Sequence, residues 1–188
     1  LRAFCDVVEP KAAEMCKEHG GAYHCTDSRR LLDDPELDAV LICTLPDTHA
    51  ALACAFLDRG KHVFVQKPIA ISYDQCRALV RAERNSRAKA MAAYCYRLSP
   101  LIERIRQAIP NPRLIYARMM SKDLLQTHAH YLGIPGLDGL GPMLELACHN
   151  VDLVYWLAGA NPRLVSAHGG NMRHPGKNIL DNFILTID

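Results

Sequence analysis

The feature that most constrains the fold is a strand, helix and strand pattern in residues 38–65. The continuous apolar run DAVLICTL at its start is typical of a parallel strand covered on both faces. The next segment, HAALACAFLDR, has the composition of a buried helix, with Thr48 as its predicted N-cap and Gly60 as its end. The strand HVFV follows at once. Because parallel strands need long crossover connections, this alternation predicts a doubly wound α/β sheet of the Rossmann type.

The alternation extends to both sides of this core pattern. LRAFCD is predicted as an earlier strand, and Pro10 and Gly20 bracket the helix after it. Ser72 opens a helix to about Asn85, AKAMAAYCY is predicted as another strand, and a further helix begins at Ser99-Pro100. We therefore predict a doubly wound α/β domain over residues 1–98.

Residues 99–188 have a different pattern. The segment RLIYARMMSK is longer than the strand segments of residues 1–98 and alternates more between apolar and polar residues. A glycine-rich loop at 133–141 leads into a strongly apolar helix at about 142–158. PRLVSAHGGNMR and DNFILTID are predicted as strands. Strands and one helix without regular alternation predict part of an α+β domain with a mostly antiparallel, open sheet.

Composition indicates an ordinary globular protein, with 49% hydrophobic residues, 22% charged residues and a net charge of +2. This balance points to no nucleic acid and no membrane as partner. The eight cysteines include no C-x-x-C pair, which predicts free buried thiols and a cytoplasmic protein. His128 and His130 have no third ligand nearby in sequence, and we predict no metal site.

Ligands of open parallel sheets bind at the carboxyl ends of the strands. Asp6 ends the first predicted strand, where a carboxylate can bind the two ribose hydroxyls of a nucleotide, although a solvated turn aspartate is an equally good interpretation. The next long strand ends in TLPDTH, which holds Thr44, Pro46 and His49. This loop and the following helix start are positioned to flank a dinucleotide.

Gln66, Lys67 and Pro68 end the apolar strand HVFV. A lysine is excluded from a core unless it is paired, so Lys67 at this point directs its ammonium into the crevice, where it can take part in proton transfer. The Lys67–Pro68 bond is a candidate for the cis form. The alternative interpretation is a surface lysine in a loop.

Three ionisable residues share one stripe of the apolar helix. Glu145, His149 and Asp152 lie at positions i, i+4 and i+7. Buried ionisable groups are costly unless they pair or serve a function. Carboxylates one turn away on either side can fix the tautomer of the His149 imidazole, which is how enzymes orient a general base. A hydrogen-bonded structural cluster is the alternative interpretation.

Together these segments resemble the Gfo/Idh/MocA family of oxidoreductases. VLICTLPDTHAALACAFLDRGKHVFVQKPIAIS is similar to the family's strand, Pro-x-x-x-His helix start, GKHV strand and E-K-P motif. GLGPMLELACHNVDLVYWLAG is similar to its glycine-led helix that ends in D-x-G-x-H-x-x-D. The resemblance implies hydride transfer between a nicotinamide and a carbinol carbon of a sugar, polyol or related compound. It also implies that residues 1–98 form a dinucleotide-binding domain and that residues 99–188 are part of a substrate and oligomerisation domain. The implied assembly is a homodimer or homotetramer.

The resemblance also implies roles for individual residues. Lys67 would hydrogen-bond the reacting oxygen, His149 would move the hydroxyl proton, and Glu145 would hold the substrate or orient the imidazole. Arg97 and Asp152 would support substrate binding. The cofactor-binding residues would be Asp6, Thr44, Pro46, His49, Gln66, Lys67 and Pro68. The expected cofactor is NAD rather than NADP, because Val7 and Val8, not arginines, follow Asp6.

Several positions depart from the family pattern. Gln66 replaces the glutamate of E-K-P, Glu145 replaces an aspartate, Ala147 replaces a glycine, and Cys95 and Tyr96 precede Arg97 where the family has N-R-R. Leu140 interrupts the glycine run. The family's first strand and G-x-G-x-x-G turn have no counterpart, so we expect a gap in the sheet and a natural chain that starts before Leu1.

Two other function classes fit the same residues. One is an NAD-assisted lyase or glycosidase in which the cofactor is returned unchanged, and the other is a non-catalytic sensor that binds a nucleotide or sugar. Net turnover of NAD separates the first from a dehydrogenase. A sensor predicts that Lys67→Ala or His149→Ala alters binding with no rate to lose.

Overall fold

The computed structural model describes residues 1–121, 137 and 140–188. These residues form two compact units, Leu1–Met91 and Ala92–Asp188. The predicted glycine-rich loop lies mostly outside the described residues, as do His128 and His130. The assignment of the two predicted domains to cofactor and substrate remains a prediction.

The first unit alternates short strands with helices along the chain. Its strands, with the last reaching the boundary of the unit, are β1 (Ala3–Cys5), β2 (Tyr23–Cys25), β3 (Ala39–Ile42), β4 (His62–Val65) and β5 (Ala90–Ala92). Its helices are α1 (Glu9–Glu18), α2 (Arg29–Leu32), α3 (Pro46–Asp58) and α4 (Tyr73–Asn85). Strand β2 and helix α2 were not predicted from the sequence.

The strands of this unit pair in two separate groups. β1 and β2 pair in parallel, with Cys5 opposite Cys25. β3 and β4 also pair in parallel, with Ile42 opposite Val65, and β5 lies on the other side of β4. This parallel α/β arrangement confirms the predicted fold class. The gap expected in the sheet lies between these two groups, because no described strand joins β1 to β3.

The core of the unit lies on one side of β3 and β4. Phe56 and Leu57 of α3 pack there with Ile42, Val63 and Val65, and all of these side chains are buried. The prediction that β3 is covered on both faces is wrong for the described residues, because Leu41 on its other face is 61% exposed. Helices α3 and α4 cover only the face that carries Ile42.

Local end signals of the helices were predicted with mixed success. Ser72 caps α4 as predicted, and its hydroxyl accepts a hydrogen bond from the Gln75 backbone N–H at 3.2 Å. Gly60 follows α3 in the left-handed conformation, with φ of 70°. Thr48 is not the N-cap of α3, because Leu45 is the N-cap and the helix starts at Pro46, three residues earlier than predicted.

The second unit contains helices and one antiparallel pair of strands. Its elements are a 3₁₀-helix (Cys95–Leu98), α5 (Pro100–Ala108), a π-helical turn (Met143–Ala147), α6 (Cys148–Ala158), β6 (Val165–Gly170) and β7 (Asn182–Ile187). β6 and β7 pair in the antiparallel direction, as predicted. No helix of the described residues is both long and apolar enough to cross a bilayer.

One predicted strand in this region is confirmed but shorter than expected, and one alternating segment forms no strand. AKAMAAYCY forms a strand only at Ala90–Ala92, and its end turns into the 3₁₀-helix. RLIYARMMSK forms no strand over its described residues, since no described strand pairs with it. An alternating pattern becomes a strand only where a neighbour supplies hydrogen bonds.

The predicted apolar helix differs from expectation in two ways. Its first part is a π-helical turn, so the helix is not α-helical throughout. Its second part, α6, has no fully buried residue, and Tyr155 is 47% exposed. The 3₁₀-helix packs against α6, and Arg106 of α5 lies 4.9 Å from the centre of the Trp156 ring. These neighbours leave the rest of the helix surface uncovered within the described unit.

Candidate active site

The turn after β4 holds the first group of candidate residues. β4 ends at Val65, and Gln66 and Lys67 follow it, both half-buried. The Gln66 side-chain oxygen accepts a hydrogen bond from the Lys67 backbone N–H at 2.9 Å. The Lys67–Pro68 bond is cis, and Pro68 is buried. Lys67 therefore lies at the carboxyl end of a buried parallel strand, where ligands of such sheets bind.

His49 links this turn to the end of β3. Its side chain is 1% exposed, and its two ring nitrogens lie 2.8 Å from the Pro68 carbonyl oxygen and 2.9 Å from the Thr44 carbonyl oxygen. Pro46, three residues earlier and the first residue of α3, is also buried, whereas the side chain of Thr44 is exposed. His49 thus fixes the two strand-end loops relative to each other and is itself out of reach of a ligand.

Asp6 lies at the carboxyl end of β1. Its Oδ1 atom accepts a hydrogen bond from the Val8 backbone N–H at 2.8 Å, which orients the carboxylate. The side chain of Val7 is exposed, and Glu9 stands in the first turn of α1. The immediate surroundings of Asp6 along the chain are therefore apolar or acidic.

Arg97 and Asp152 form a bidentate ion pair in the second unit. Arg97 Nε lies 2.8 Å from Asp152 Oδ2, and Nη2 lies 2.6 Å from Oδ1. The Asp152 side chain is 9% exposed and that of Arg97 is 38% exposed. The hydrogen bond to Asp152 raises the pKa of the Arg97 guanidinium above its usual value. Both residues were predicted to bind substrate, and the structure shows that each is the partner of the other.

His149 lies between two tyrosine rings. The Tyr96 ring centre is 5.2 Å from the imidazole centre with the planes tilted by 45°, and the Tyr94 ring is edge-on at 6.2 Å. These distances are typical of aromatic pairs. Glu145 stands in the π-helical turn before α6 and, like His149, is half-buried.

The predicted site residues thus form two groups, each within its own unit. The strand-end group contains Asp6, Thr44, Pro46, His49, Gln66, Lys67 and Pro68, and the helix group contains Arg97, Glu145, His149 and Asp152. In neither group do the described residues include three metal-ligating side chains close enough to hold an ion.

Sequence reasoning missed Tyr94, Tyr96 and Lys61. The two tyrosines are two residues apart directly before Arg97, a pattern that was visible but was assigned to a strand. Lys61 is the buried lysine of the first unit, and its ammonium donates hydrogen bonds to the carbonyl oxygens of Asp34 and Leu37. A lysine at a strand start gives no sequence signal for such burial, because its carbonyl partners come from a distant loop.

Residues 1–94, half of the chain, match a family model described as an oxidoreductase family with an NAD-binding Rossmann fold. Inositol 2-dehydrogenase of Rhizobium meliloti is 32% identical over 84% of this chain and 47% of its own length. Myo-inositol 2-dehydrogenase of Thermotoga maritima is 25% identical over 90% of this chain and 50% of its own length. The chain spans about half the length of the curated relatives it matches.

A solved structure gives the same picture of the fold. The scyllo-inositol dehydrogenase of Lactobacillus casei, with bound NAD(H) and scyllo-inositol, superposes with a TM-score of 0.78 at 21% identity. The match covers 93% of this chain and 53% of that one. At this identity, the similarity establishes the common fold.

Proposed function

The chain belongs to the Gfo/Idh/MocA family of oxidoreductases. From this premise we propose that it acts as a nicotinamide-dependent dehydrogenase. The proposed reaction moves a hydride between the nicotinamide and a carbinol carbon of a sugar, polyol or related compound. The observation that carries the proposal is the position of Lys67, which follows β4 in a turn that His49 ties to β3.

Lys67 suits a role at the reacting oxygen. An ammonium group has three donors and no acceptor, so it can donate to an alkoxide or carbonyl oxygen as charge develops there. The turn that carries it is held by buried hydrogen bonds, which limits the freedom of the backbone. A fixed donor lowers the cost of organising the site for each turnover.

His149 suits the role of proton carrier for the substrate hydroxyl. An imidazole can both accept and donate a proton, and the two tyrosine rings limit the orientation of this one. Glu145, one turn earlier, is proposed to hold the substrate or to orient the imidazole. Oxidation of the alcohol releases one proton from the hydroxyl and one hydride from carbon, and His149 takes the proton.

The proposed cofactor is NAD, which accepts the hydride when bound. Asp6 is proposed to accept hydrogen bonds from the two adenosine ribose hydroxyls, since its carboxylate is oriented at the end of β1. Glu9 follows in the first turn of α1, and Val7 and Val8 between them carry no positive charge. This acidic setting disfavours the extra phosphate of NADP. Thr44 and Gln66 at the neighbouring strand ends complete the proposed cofactor-binding surface, and buried Pro68 is proposed to hold the turn that presents it.

The proposed substrate class is a neutral sugar or polyol. It rests on the named relatives, among them the inositol dehydrogenases of Rhizobium meliloti and Thermotoga maritima. Arg97 and Asp152 are proposed to support the substrate-binding region. We further propose a cytoplasmic homodimer or homotetramer.

The test is NAD reduction by the full-length natural protein with a panel of inositols, sugars and polyols, followed by nicotinamide absorbance. We expect the wild type to reduce NAD and Lys67→Ala to lose at least about 100-fold in kcat/KM, the effect of removing one charge-stabilising donor. The matched control is Lys89→Ala, which removes an exposed lysine paired with Glu83 and should keep full activity.

Three outcomes separate the function classes. Net NAD reduction that is lost in Lys67→Ala supports the dehydrogenase. NAD that is bound and never reduced in net turnover, while a substrate is cleaved, would favour the closed-cycle enzyme. NAD or sugar binding with no reaction of any kind would favour the sensor and refute the proposed activity.

A further inference from the structure

The surroundings of His149 contain a feature that the proposed reaction does not by itself explain. Tyr96 lies against the imidazole at 5.2 Å between ring centres, and Tyr94 meets it edge-on at 6.2 Å. The side-chain torsion that turns an imidazole has a broad, weakly defined energy minimum. The rings packed against the imidazole therefore restrict which way the two ring nitrogens of His149 point.

The segment that carries Tyr96 has little support of its own. It is a 3₁₀-helix of four residues, Cys95–Leu98, and none of its residues is fully buried. Such short helices have poor hydrogen-bond geometry. The segment therefore needs an anchor outside its own backbone if Tyr96 is to stay in place.

The Arg97–Asp152 ion pair is that anchor. Arg97 follows Tyr96 directly in the chain, and Asp152 lies three residues after His149, about one turn further along α6. The two parallel contacts, at 2.8 Å and 2.6 Å, join the tyrosine segment to the helix that carries the histidine. Bidentate arginine–carboxylate pairs are strong and fix geometry as well as distance.

The same geometry leaves Asp152 poorly suited to bind substrate directly. Both of its carboxylate oxygens already accept hydrogen bonds from Arg97, and its side chain is almost fully buried. A carboxylate in this state holds a neighbour in place.

We propose that Tyr96 is a positioning residue for His149 and that the Arg97–Asp152 pair holds Tyr96 in that position. The consequence for catalysis rests on the proposed role of His149 as proton carrier, whereas the structural part does not. Catalysis depends steeply on placement, and a shift of about 1 Å in a reacting group can cost about 100-fold in rate.

The structural part is tested by NMR on the full-length protein with isotope-labelled histidine. The imidazole signal of His149 is assigned from its loss in His149→Gln. Because a nearby aromatic ring shifts this signal, we expect Tyr96→Phe to keep it at the wild-type position. We expect Tyr96→Leu and Asp152→Asn to move it toward that of an exposed histidine. Tyr96→Leu also removes the ring that shifts the signal, so Asp152→Asn, which keeps that ring, decides between the outcomes. An unmoved signal in folded Asp152→Asn would overturn the proposal.

The catalytic part is tested by kinetics of the same variants. We expect Tyr96→Leu and Asp152→Asn to lower kcat by about 10-fold to 100-fold with KM changed by less than about twofold, and Tyr96→Phe to remain near wild type. Because Arg97 and Asp152 act as one unit, Arg97→Gln combined with Asp152→Asn should cost no more than either change alone. A raised KM with an unchanged kcat would instead place these residues in direct contact with substrate and refute the positioning role.

The two tests separate failure of this proposal from failure of the proposed function. If the wild type never reduces NAD, the dehydrogenase assignment fails, while the NMR signal of His149 still reports whether Tyr96 and Asp152 position it. If the wild type reduces NAD and the NMR signal is unaffected by Asp152→Asn, the positioning proposal alone fails.

Discussion

Replacing His49 by leucine tests whether one buried side chain holds the strand-end loops together. The imidazole nitrogens lie 2.8 Å and 2.9 Å from the carbonyl oxygens of Pro68 and Thr44, and the side chain is 1% exposed. Leucine has a similar volume and no donor. His49→Leu therefore removes hydrogen bonding without opening a large cavity.

The expected cost can be worked from these contacts. A net intramolecular hydrogen bond contributes about 1 kcal/mol, and a buried polar group left without its partner costs about 1–3 kcal/mol. Both facing atoms are carbonyl oxygens, which only accept, and an imidazole with one N–H donates to one of them, so we expect His49→Leu to lower the free energy of unfolding by roughly 1–3 kcal/mol. His49→Gln retains one donor group and should show a smaller loss.

Urea unfolding of the full-length protein measures this difference through the transition midpoint, with the slope unchanged. His168→Gln, at an exposed position in β6, is the matched control and should change the free energy by less than about 1 kcal/mol. NAD reduction by His49→Leu should fall by at least about tenfold, because the Lys67 turn loses a support. A loss of stability below about 0.5 kcal/mol would refute the bridging role.

Two further predictions concern the first unit. Hydrogen bonds from the Tyr23 hydroxyl, a backbone N–H and the Arg2 guanidinium lower the pKa of Asp34 to about 2. A lowered folded-state pKa stabilises the fold above about pH 4, and this contribution disappears as the pH falls toward 2. Urea midpoints should therefore drop across that range in the wild type and less in Asp34→Asn, and equal acid slopes would contradict the assignment. Gly60 has φ of 70°, so Gly60→Ala should cost about 1–2 kcal/mol by the same assay. Gly170→Ala, where an added Cβ meets open space, should not, and equal losses would contradict the conformational explanation.

Signals contained within a few residues were predicted well. Ser72 as a cap, Gly60 as a helix end and Pro100 as a helix start are local, because each depends on the backbone of its own turn. The strand HVFV was also predicted at its observed bounds, because a short apolar run between a glycine and a proline is typical of a buried strand.

Signals that depend on a distant partner were predicted poorly. The alternating segment RLIYARMMSK gives no strand among the described residues because none of the described strands pairs with it. β2 was missed because its three residues are too few for a period to be recognised. β3 was expected to be covered on both of its faces, yet Leu41 is exposed, because coverage depends on which helices lie over each face.

The candidate site shows the same division between local signals and contacts with distant segments. The residue types of Lys67, Glu145 and His149 predict proton transfer, with a surface lysine and a hydrogen-bonded structural cluster as the alternatives, and their roles remain a prediction. The relation between Arg97 and Asp152, 55 residues apart, could not be read from the sequence, because spacing along one helix says nothing about a partner from another segment. Asp152 was therefore grouped with its helix neighbours Glu145 and His149, although its hydrogen bonds go to Arg97. A stripe of ionisable residues on one helix thus identifies which groups are present, and only the contacts to other segments decide which of them react and which hold the others in place.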